Sequence, residues 1–177
     1  AKDLVDRMNK TMPALPIQGG MTAFGLGKAP VTTVYGMTDY TQDGLGESLG
    51  RVSSPAGTTT MGLGLAEAGT LLKDASGDIA IIVFGDGEEN TTTTAALDAA
   101  NALKEQFGDR ACLYTVFVGN TDKGRKLMSD IAATSACGMA TSADELASAD
   151  AMAAFVEKAF LEKAPAKPVA PAPLPVP

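Results

Sequence analysis

The sequence contains no histidine and no tryptophan, and only 2 of its 177 residues are cysteines. Without an imidazole, the chain can form neither a Ser-His or Cys-His nucleophile pair nor a histidine metal site. Two thiolates cannot complete a tetrahedral zinc site. Any metal that the chain binds must therefore be held by oxygen ligands, which favours Mg²⁺, Ca²⁺ or Mn²⁺.

Basic residues and long apolar runs are also scarce. The chain has 14 lysines and arginines against 21 acidic residues, a net charge of −7. Because no basic stripe is present, we expect no binding to nucleic acid. No apolar run approaches the roughly 18 residues that a membrane-spanning helix needs, so we expect no membrane span.

From residue 60 onward, apolar runs alternate with segments of helical periodicity. The predicted strands lie at 79–84, 111–119 and 137–141, and the predicted helices at 61–75, 93–107, 122–135 and 143–163. Continuous apolar strands separated by helices indicate a parallel sheet covered on both faces. The sequence therefore predicts a doubly wound α/β domain with a mostly parallel sheet.

The two ends of the chain have different patterns. An amphipathic helix is predicted at the start, followed by a hairpin of strands 21–25 and 31–37 and a glycine-rich helix at 40–52. The segment 164–177 holds six of the ten prolines and is predicted to be an extended, semi-rigid linker. We therefore expect one domain over residues 1–163 and a tether for a further domain at 164–177.

The strongest functional signal is a carboxylate at the end of an apolar strand. The run "IAIIVFGDGEEN" (79–90) stops at Asp86, which lies between two glycines that let a ligand approach the backbone. A second, hydroxyl-rich loop, "GTTTMGLGL" (57–65), opens a helix. Ligands of such sheets bind beyond the carboxyl ends of the strands, so both loops are candidates for one site.

These two loops carry a family resemblance. "GTTTMGLGLAEA" (57–68) followed by "DIAIIVFGDGEEN" (78–90) resembles the von Willebrand factor A domain, over roughly residues 1–163. The resemblance implies a metal-ion-dependent adhesion site with Thr59 and Asp86 as ligands. Further possible ligands are Thr58, Thr60 and Glu88. Such a site binds Mg²⁺, or Mn²⁺ or Ca²⁺, and a partner protein completes the shell with a carboxylate, which is binding and not catalysis.

The chain departs from the family pattern at its start. The first strand of the family, with its Asp-x-Ser-x-Ser ligands, is missing, although the resemblance places it centrally between the strands at 21–25 and 79–84. We therefore expect a gap in the sheet and a weak or absent metal ion. The run Asp74 to Asp78 imitates the missing motif, but it follows a helix and precedes a strand. It is therefore predicted to be a turn at the opposite edge.

Other interpretations of these residues stay open. Asp86 could cap the following helix, and Thr58 to Thr60 could be ordinary N-caps. The function could also be that of a structural scaffold whose metal site has lapsed. A third possibility is an enzyme that uses a nucleotide or phosphate, because Gly62-x-Gly64 imitates part of a dinucleotide-binding loop.

The two cysteines begin strands that are predicted to be adjacent and parallel. Cys112 and Cys137 would both lie at the amino edge of the sheet, at a separation near roughly 5 Å that permits a bridge. We expect a disulfide, the alternative being two buried thiols. A disulfide would indicate an oxidising compartment. Domains that resemble this one are often joined to OmpA-like, peptidoglycan-binding domains, which implies a location in the bacterial cell envelope, periplasmic or associated with the outer membrane.

Overall fold

The computed structural model describes residues 1–26, 29–52, 58–89 and 94–162. The elements, in chain order, are α1 (Lys2–Thr11), β1 (Gln18–Phe24), β2 (Val31–Asp39), α2 (Gln42–Gly50), α3 (Met61–Leu71), β3 (Ile79–Gly85), α4 (Ala95–Phe107), β4 (Ala111–Phe117), α5 (Asp122–Ala132), β5 (Met139–Ser142) and α6 (Ala149–Phe160). The predicted linker at 164–177 lies outside the described residues.

A three-stranded parallel sheet in the order β3-β4-β5 forms the centre of the domain. All seven residues of β4 are buried, as expected for a strand that has a neighbour on each side and helices on both faces. One apolar cluster joins α3, α4 and α5 to the sheet, and a second joins α1 and α6 to it. The prediction of a doubly wound α/β domain is therefore confirmed.

The strands β1 and β2 form the predicted antiparallel hairpin, with Phe24 opposite Val31 and Gln18 opposite Asp39. Within the described residues, this hairpin forms a sheet of its own and pairs with no strand of the parallel sheet. It packs instead against α3, where Gly64 leaves room for the ring of Phe24: a Cβ at Gly64 would lie 2.7 Å from that ring. In the part of the chain that the structure describes, β1 and β3 are therefore not paired with each other.

The amino edge of the parallel sheet is fixed by a disulfide and by hydrogen bonds from an arginine side chain. Cys112 at the start of β4 is bonded to Cys137, two residues before β5, with the Cα atoms 5.2 Å apart. The predicted bridge is confirmed, and it favours an oxidising compartment. At the same edge, the Arg110 guanidinium donates to the carbonyl oxygens of Ala75 and Gly77. These bonds hold the turn that was predicted for residues 74–78.

The last helix is shorter than its sequence predicts. A helix was expected over 143–163, but α6 begins at Ala149, where the hydroxyl of Ser148 accepts from the Ala151 backbone N–H. Residues 143–147 form a turn, and Leu146 in that turn is buried. The helices of the described ranges include none that is long and apolar enough to cross a membrane.

Candidate functional site

The loops that follow β3 and β4 and the loop that precedes α3 all lie at the carboxyl edge of the parallel sheet. Residues 86–89 leave β3, residues 118–121 join β4 to α5, and Thr58 to Thr60 lead into α3. Three close contacts, described below, bring these loops together. The two loops that the sequence singled out therefore do belong to one site, with a third loop beside them.

Asp86 is exposed and begins the loop that leaves β3. Its Oδ1 accepts a hydrogen bond from the backbone N–H of Glu88 at 3.0 Å, which makes a local Asx turn. Gly87, between them, has φ of 68°, and a Cβ at this position would collide with the backbone of Gly124 in the first turn of α5. A glycine is thus required here, and the loop is fixed against α5 by backbone contact.

Glu89 joins the loop after β3 to the start of α3. Its Oε2 accepts from the backbone N–H of Gly62 at 2.8 Å. The N-cap residue of this helix, Thr60, makes no side-chain cap bond, so a carboxylate from another loop serves the helix terminus. The interaction is favourable because the N-terminus of a helix carries partial positive charge. The sequence alone did not single out this pairing.

The three threonines before α3 have different environments. Thr58 is exposed, Thr59 is half-buried, and Thr60 is 4% exposed. The Thr60 hydroxyl donates to the carbonyl oxygen of Pro30 at 2.5 Å, which ties the start of α3 to the hairpin. Thr60 therefore has a structural bond that the sequence did not indicate, and the interpretation of its side chain as an N-cap is wrong.

Thr121 belongs to the site and was missed in the sequence. Its hydroxyl donates to Oε1 of Glu88 at 3.3 Å and accepts from the backbone N–H of Gly124, which caps α5. The pattern Thr-Asp before a helix is a cap signal that could have located it. The guanidinium of Arg125, one turn further along, lies 4.7 Å from the centre of the Phe117 ring. A positively charged side chain is therefore close to this acidic edge.

Glu145 supplies a further carboxylate at the end of β5. Its Oε2 accepts from the backbone N–H and the hydroxyl of Ser142 and from the hydroxyl of Thr141. The Ser142 hydroxyl is the main cause that lowers the pKa of this carboxyl below its ordinary value of 4.5, and Thr141 and the charge of Arg125 act in the same direction. Glu145 is therefore held ionised at the same edge of the sheet.

This edge of the sheet offers oxygen ligands of mixed type, which is what a hard cation such as Mg²⁺ or Ca²⁺ needs. Within the described ranges, histidine, cysteine, aspartate and glutamate nowhere form a group of three or more that could hold a metal. A cation at this edge would thus depend on hydroxyl groups and water beside the carboxylate of Asp86, with that of Glu88 as a further donor. Thr59 and Asp86 lie on loops that the bond between Glu89 and Gly62 joins. Their role as ligands stays a prediction, as do those of Thr58, Thr60 and Glu88.

A doubly wound α/β domain with polar loops at the carboxyl ends of its strands defines the class of this protein. Among solved structures, the chain is similar to a von Willebrand factor type A protein from Catenulispora acidiphila, with a TM-score of 0.61 and 18% identity. The match covers 89% of this chain and 36% of that chain. The chain therefore has a von Willebrand factor A-like fold and spans about a third of the length of that protein.

A second solved structure, an uncharacterized membrane spanning protein from Vibrio fischeri, aligns with 88% of this chain and 80% of its own at 20% identity. Its TM-score of 0.33 is too low to support any argument about the fold. No family model matches the chain, and no curated protein matches it.

Proposed function

We propose that this domain is a non-enzymatic protein-binding module whose carboxyl edge holds a divalent cation. The observation that carries the proposal is the hydrogen bond from Gly62 to Glu89, because it joins the threonine loop to the aspartate loop. Thr59 and Asp86 are the proposed ligands, with Thr58, Thr60 and Glu88 as further donors. The fold, which resembles that of a von Willebrand factor A protein, supports the same function.

The chemistry of Asp86 suits a cation such as Mg²⁺, Mn²⁺ or Ca²⁺. Among the described contacts, only Oδ1 of this exposed side chain accepts a hydrogen bond, so Oδ2 is free to meet a ligand. A cation held by one carboxylate, hydroxyl groups and water keeps net positive charge. It can complete its shell with a carboxylate of a partner protein. Because Mg²⁺ sheds water reluctantly, a site with so few protein ligands should bind it weakly.

The setting of the module is part of the proposal. The disulfide favours an oxidising compartment, and we assign the domain to the bacterial cell envelope, periplasmic or associated with the outer membrane. The proline-rich segment 164–177 would then tether an OmpA-like, peptidoglycan-binding domain. The net charge of −7 argues against nucleic acid as a partner.

One observation favours a second function, a scaffold whose metal site has lapsed. The described residues bring no three carboxylates together, and Glu88 and Glu89 already accept bonds from Thr121 and Gly62. Such a scaffold would bind its partner without a cation. An enzyme that uses a nucleotide at this edge is the remaining alternative.

The test is a thermal melt together with calorimetric titration of Mn²⁺ and Mg²⁺, on the unmodified chain and on Asp86→Asn and Thr59→Val. Asp74→Asn is the matched control, because Asp74 is also an exposed aspartate and lies at the opposite edge of the sheet. The proposal predicts weak binding that both site variants lose and the control keeps. Stabilisation by ATP would instead support the enzyme, and no response to metal or nucleotide would support the scaffold.

A further inference from the structure

An open apolar groove lies where the end of α1 meets the start of α2. Its walls are the segment that follows α1, residues 12–16, and the segment that joins β2 to α2, residues 40–42, and its volume is about 530 Å³. The two prolines of the first wall are exposed, and Leu15 and Tyr40 are half-buried. This volume lies within the range of known binding sites, and the apolar surface in the groove is accessible to a ligand.

Hydrogen bonds around a buried asparagine fix the two walls of this groove. Asn9 is 3% exposed, and its Oδ1 accepts from the Tyr40 hydroxyl at 2.7 Å. Its Nδ2 donates to the carbonyl oxygen of Gln42 at 2.9 Å. The Gln42 side-chain amide donates in return to the carbonyl oxygens of Asn9 and Met12. The groove is therefore preformed, and a ligand would not have to order its walls on binding.

The groove is separate from the carboxyl-edge site. Phe24, at the end of β1, lies close to that site, because its ring is 3.8 Å from the Cβ position of Gly85. The groove adjoins the opposite end of the hairpin, where Gln18 is paired with Asp39. The seven residues of β1 span roughly 20 Å between these two ends. A ligand in the groove would therefore bind independently of a cation at the carboxyl edge.

A second, acidic compartment continues the groove between α1 and α2. It has a volume of about 400 Å³ and shares Gln42 with the apolar part. Its charged lining consists of three carboxylates and one ammonium group: Asp6, Asp43, Glu47 and Lys10. Lys10 is paired with Asp6, whereas Asp43 and Glu47 make no ion pair with any residue that the structure describes. The compartment therefore keeps a net negative charge.

The two unpaired carboxylates lie one turn apart on α2 and are both exposed. Like charges at this spacing repel each other and destabilise a helix. Between them in the lining, Gly46 has no side chain, and a Cβ there would lie 3.6 Å from the Asn9 amide nitrogen. The floor of the compartment is thus low and uncharged. A basic group above it would relieve the repulsion between Asp43 and Glu47, so the complementary ligand carries positive charge.

We propose that this groove binds a segment of a partner protein that combines apolar residues with adjacent lysine or arginine residues. The apolar residues would contact Leu15 and Tyr40, and the basic side chains would pair with Asp43 and Glu47. Charge complementarity selects this occupant, because the acidic compartment would repel an acidic segment. A small cation would fill the acidic compartment alone, whereas a peptide segment reaches both parts of the groove.

The test is an NMR titration of the isotope-labelled chain with an eight-residue peptide that has leucines in one half and lysines in the other. Two control peptides replace the lysines by glutamine or the leucines by alanine. The variant Asp43→Asn/Glu47→Gln removes the two carboxylates of the groove. Asp98→Asn/Glu105→Gln is its matched control, because it removes two exposed carboxylates from α4. Circular dichroism checks that both variants are folded.

The proposal predicts that the peptide shifts the backbone amide signals of residues 14–15 and 40–47. Each control peptide and the groove variant should bind about fivefold more weakly or less, because exposed ion pairs are individually weak and two are lost. The α4 variant and Asp86→Asn should bind the peptide as the unmodified chain does.

Equal losses in the two paired variants, or equal binding of either control peptide, would overturn the proposal. Non-specific charge attraction or apolar contact alone would then explain the binding. An absence of shifts in the groove would overturn it as well. So would tighter binding of a peptide of residues 164–177, or the same shifts when the chain is concentrated without peptide, since this chain itself would then be the occupant.

Discussion

Reduction of the Cys112–Cys137 disulfide should lower the free energy of unfolding by an amount that the structure allows to be worked out. The two residues are 25 positions apart, and the bridge closes a loop that contains β4 and α5. Opening a loop of this size restores chain entropy to the unfolded state worth about 3.5 kcal/mol at 25 °C. For a domain of this size, that corresponds to a loss of roughly 7–14 °C in the midpoint of thermal unfolding.

The measurement is urea unfolding of the unmodified chain with and without reductant, followed by circular dichroism. The slope of free energy against urea should rise on reduction, because the open chain exposes more surface when it unfolds. The double variant Cys112→Ala/Cys137→Ala is the control and should not respond to reductant. It should be somewhat less stable than the reduced chain, since Cys112 is buried and its sulfur fills space in the second apolar cluster.

A loss well below about 1 kcal/mol on reduction would refute the loop-entropy argument. That result would mean that the unfolded chain already keeps β4 and the segment before β5 close together. An unchanged slope would point to the same residual structure.

The remaining predictions concern three local features: the glycine at position 87, the N-cap of α6 and the carboxylate of Glu145. Gly87→Ala should lower the free energy of unfolding by roughly 1–3 kcal/mol in urea melts, because the φ of Gly87 is positive and the new Cβ would collide with the backbone of Gly124. The control Gly36→Ala should change the free energy of unfolding little, because a Cβ at Gly36 would meet no other atom. Ser148→Ala removes the cap of α6 and should cost about 1 kcal/mol, and an unchanged urea midpoint would contradict this. Because the pKa of Glu145 is lowered in the folded state, its ionised carboxylate stabilises the fold above pH 4.5. This stabilisation is lost as the pH falls through the pKa of the folded state. Acid titration of Glu145→Gln should therefore show a shallower loss of stability in that window, and identical acid curves would contradict the assignment.

The sheet could be predicted because its strands are continuous apolar runs. Residues 79–85 and 111–117 have no competing periodicity, and the helix between them is long enough to permit parallel pairing. The hairpin was equally clear from its two short β-rich runs. These elements depend on local pattern, and local pattern is what a single sequence contains.

The start of the last helix was mispredicted because tertiary contacts decide it. Ser142 and Glu145 have the spacing of a capping box, and their side chains do bond reciprocally. No helix follows there, because the guanidinium of Arg7 donates to the carbonyl oxygens of residues 146, 147 and 148 and so takes the acceptors that a helix would use. Burial of Leu146 fixes the same turn. A residue 139 positions away cannot be read from the local pattern.

The candidate site was located but only partly resolved by the sequence. Asp86 and the threonine loop could be found because each adjoins a predicted strand or helix. The bonds of Glu89 to Gly62 and of Glu88 to Thr121 join residues that are 27 and 33 positions apart. Such pairings arise only when parallel strands bring their carboxyl ends to one edge, so they need the fold before they can be seen.

The two edges of the parallel sheet are held in different ways, and the difference agrees with the binding role proposed for the carboxyl edge. The amino edge has a covalent bridge and the Arg110 contacts, whereas the loops of the carboxyl edge are joined by side-chain hydrogen bonds. Binding loops are drawn from the less stable parts of a fold. The edges are separated by the length of β4, roughly 20 Å for seven residues. Reduction should therefore lower the melting temperature and leave the affinity for Mn²⁺ unchanged below that temperature. Titration of the reduced chain tests this, and a large loss of Mn²⁺ affinity would show that the two edges are coupled.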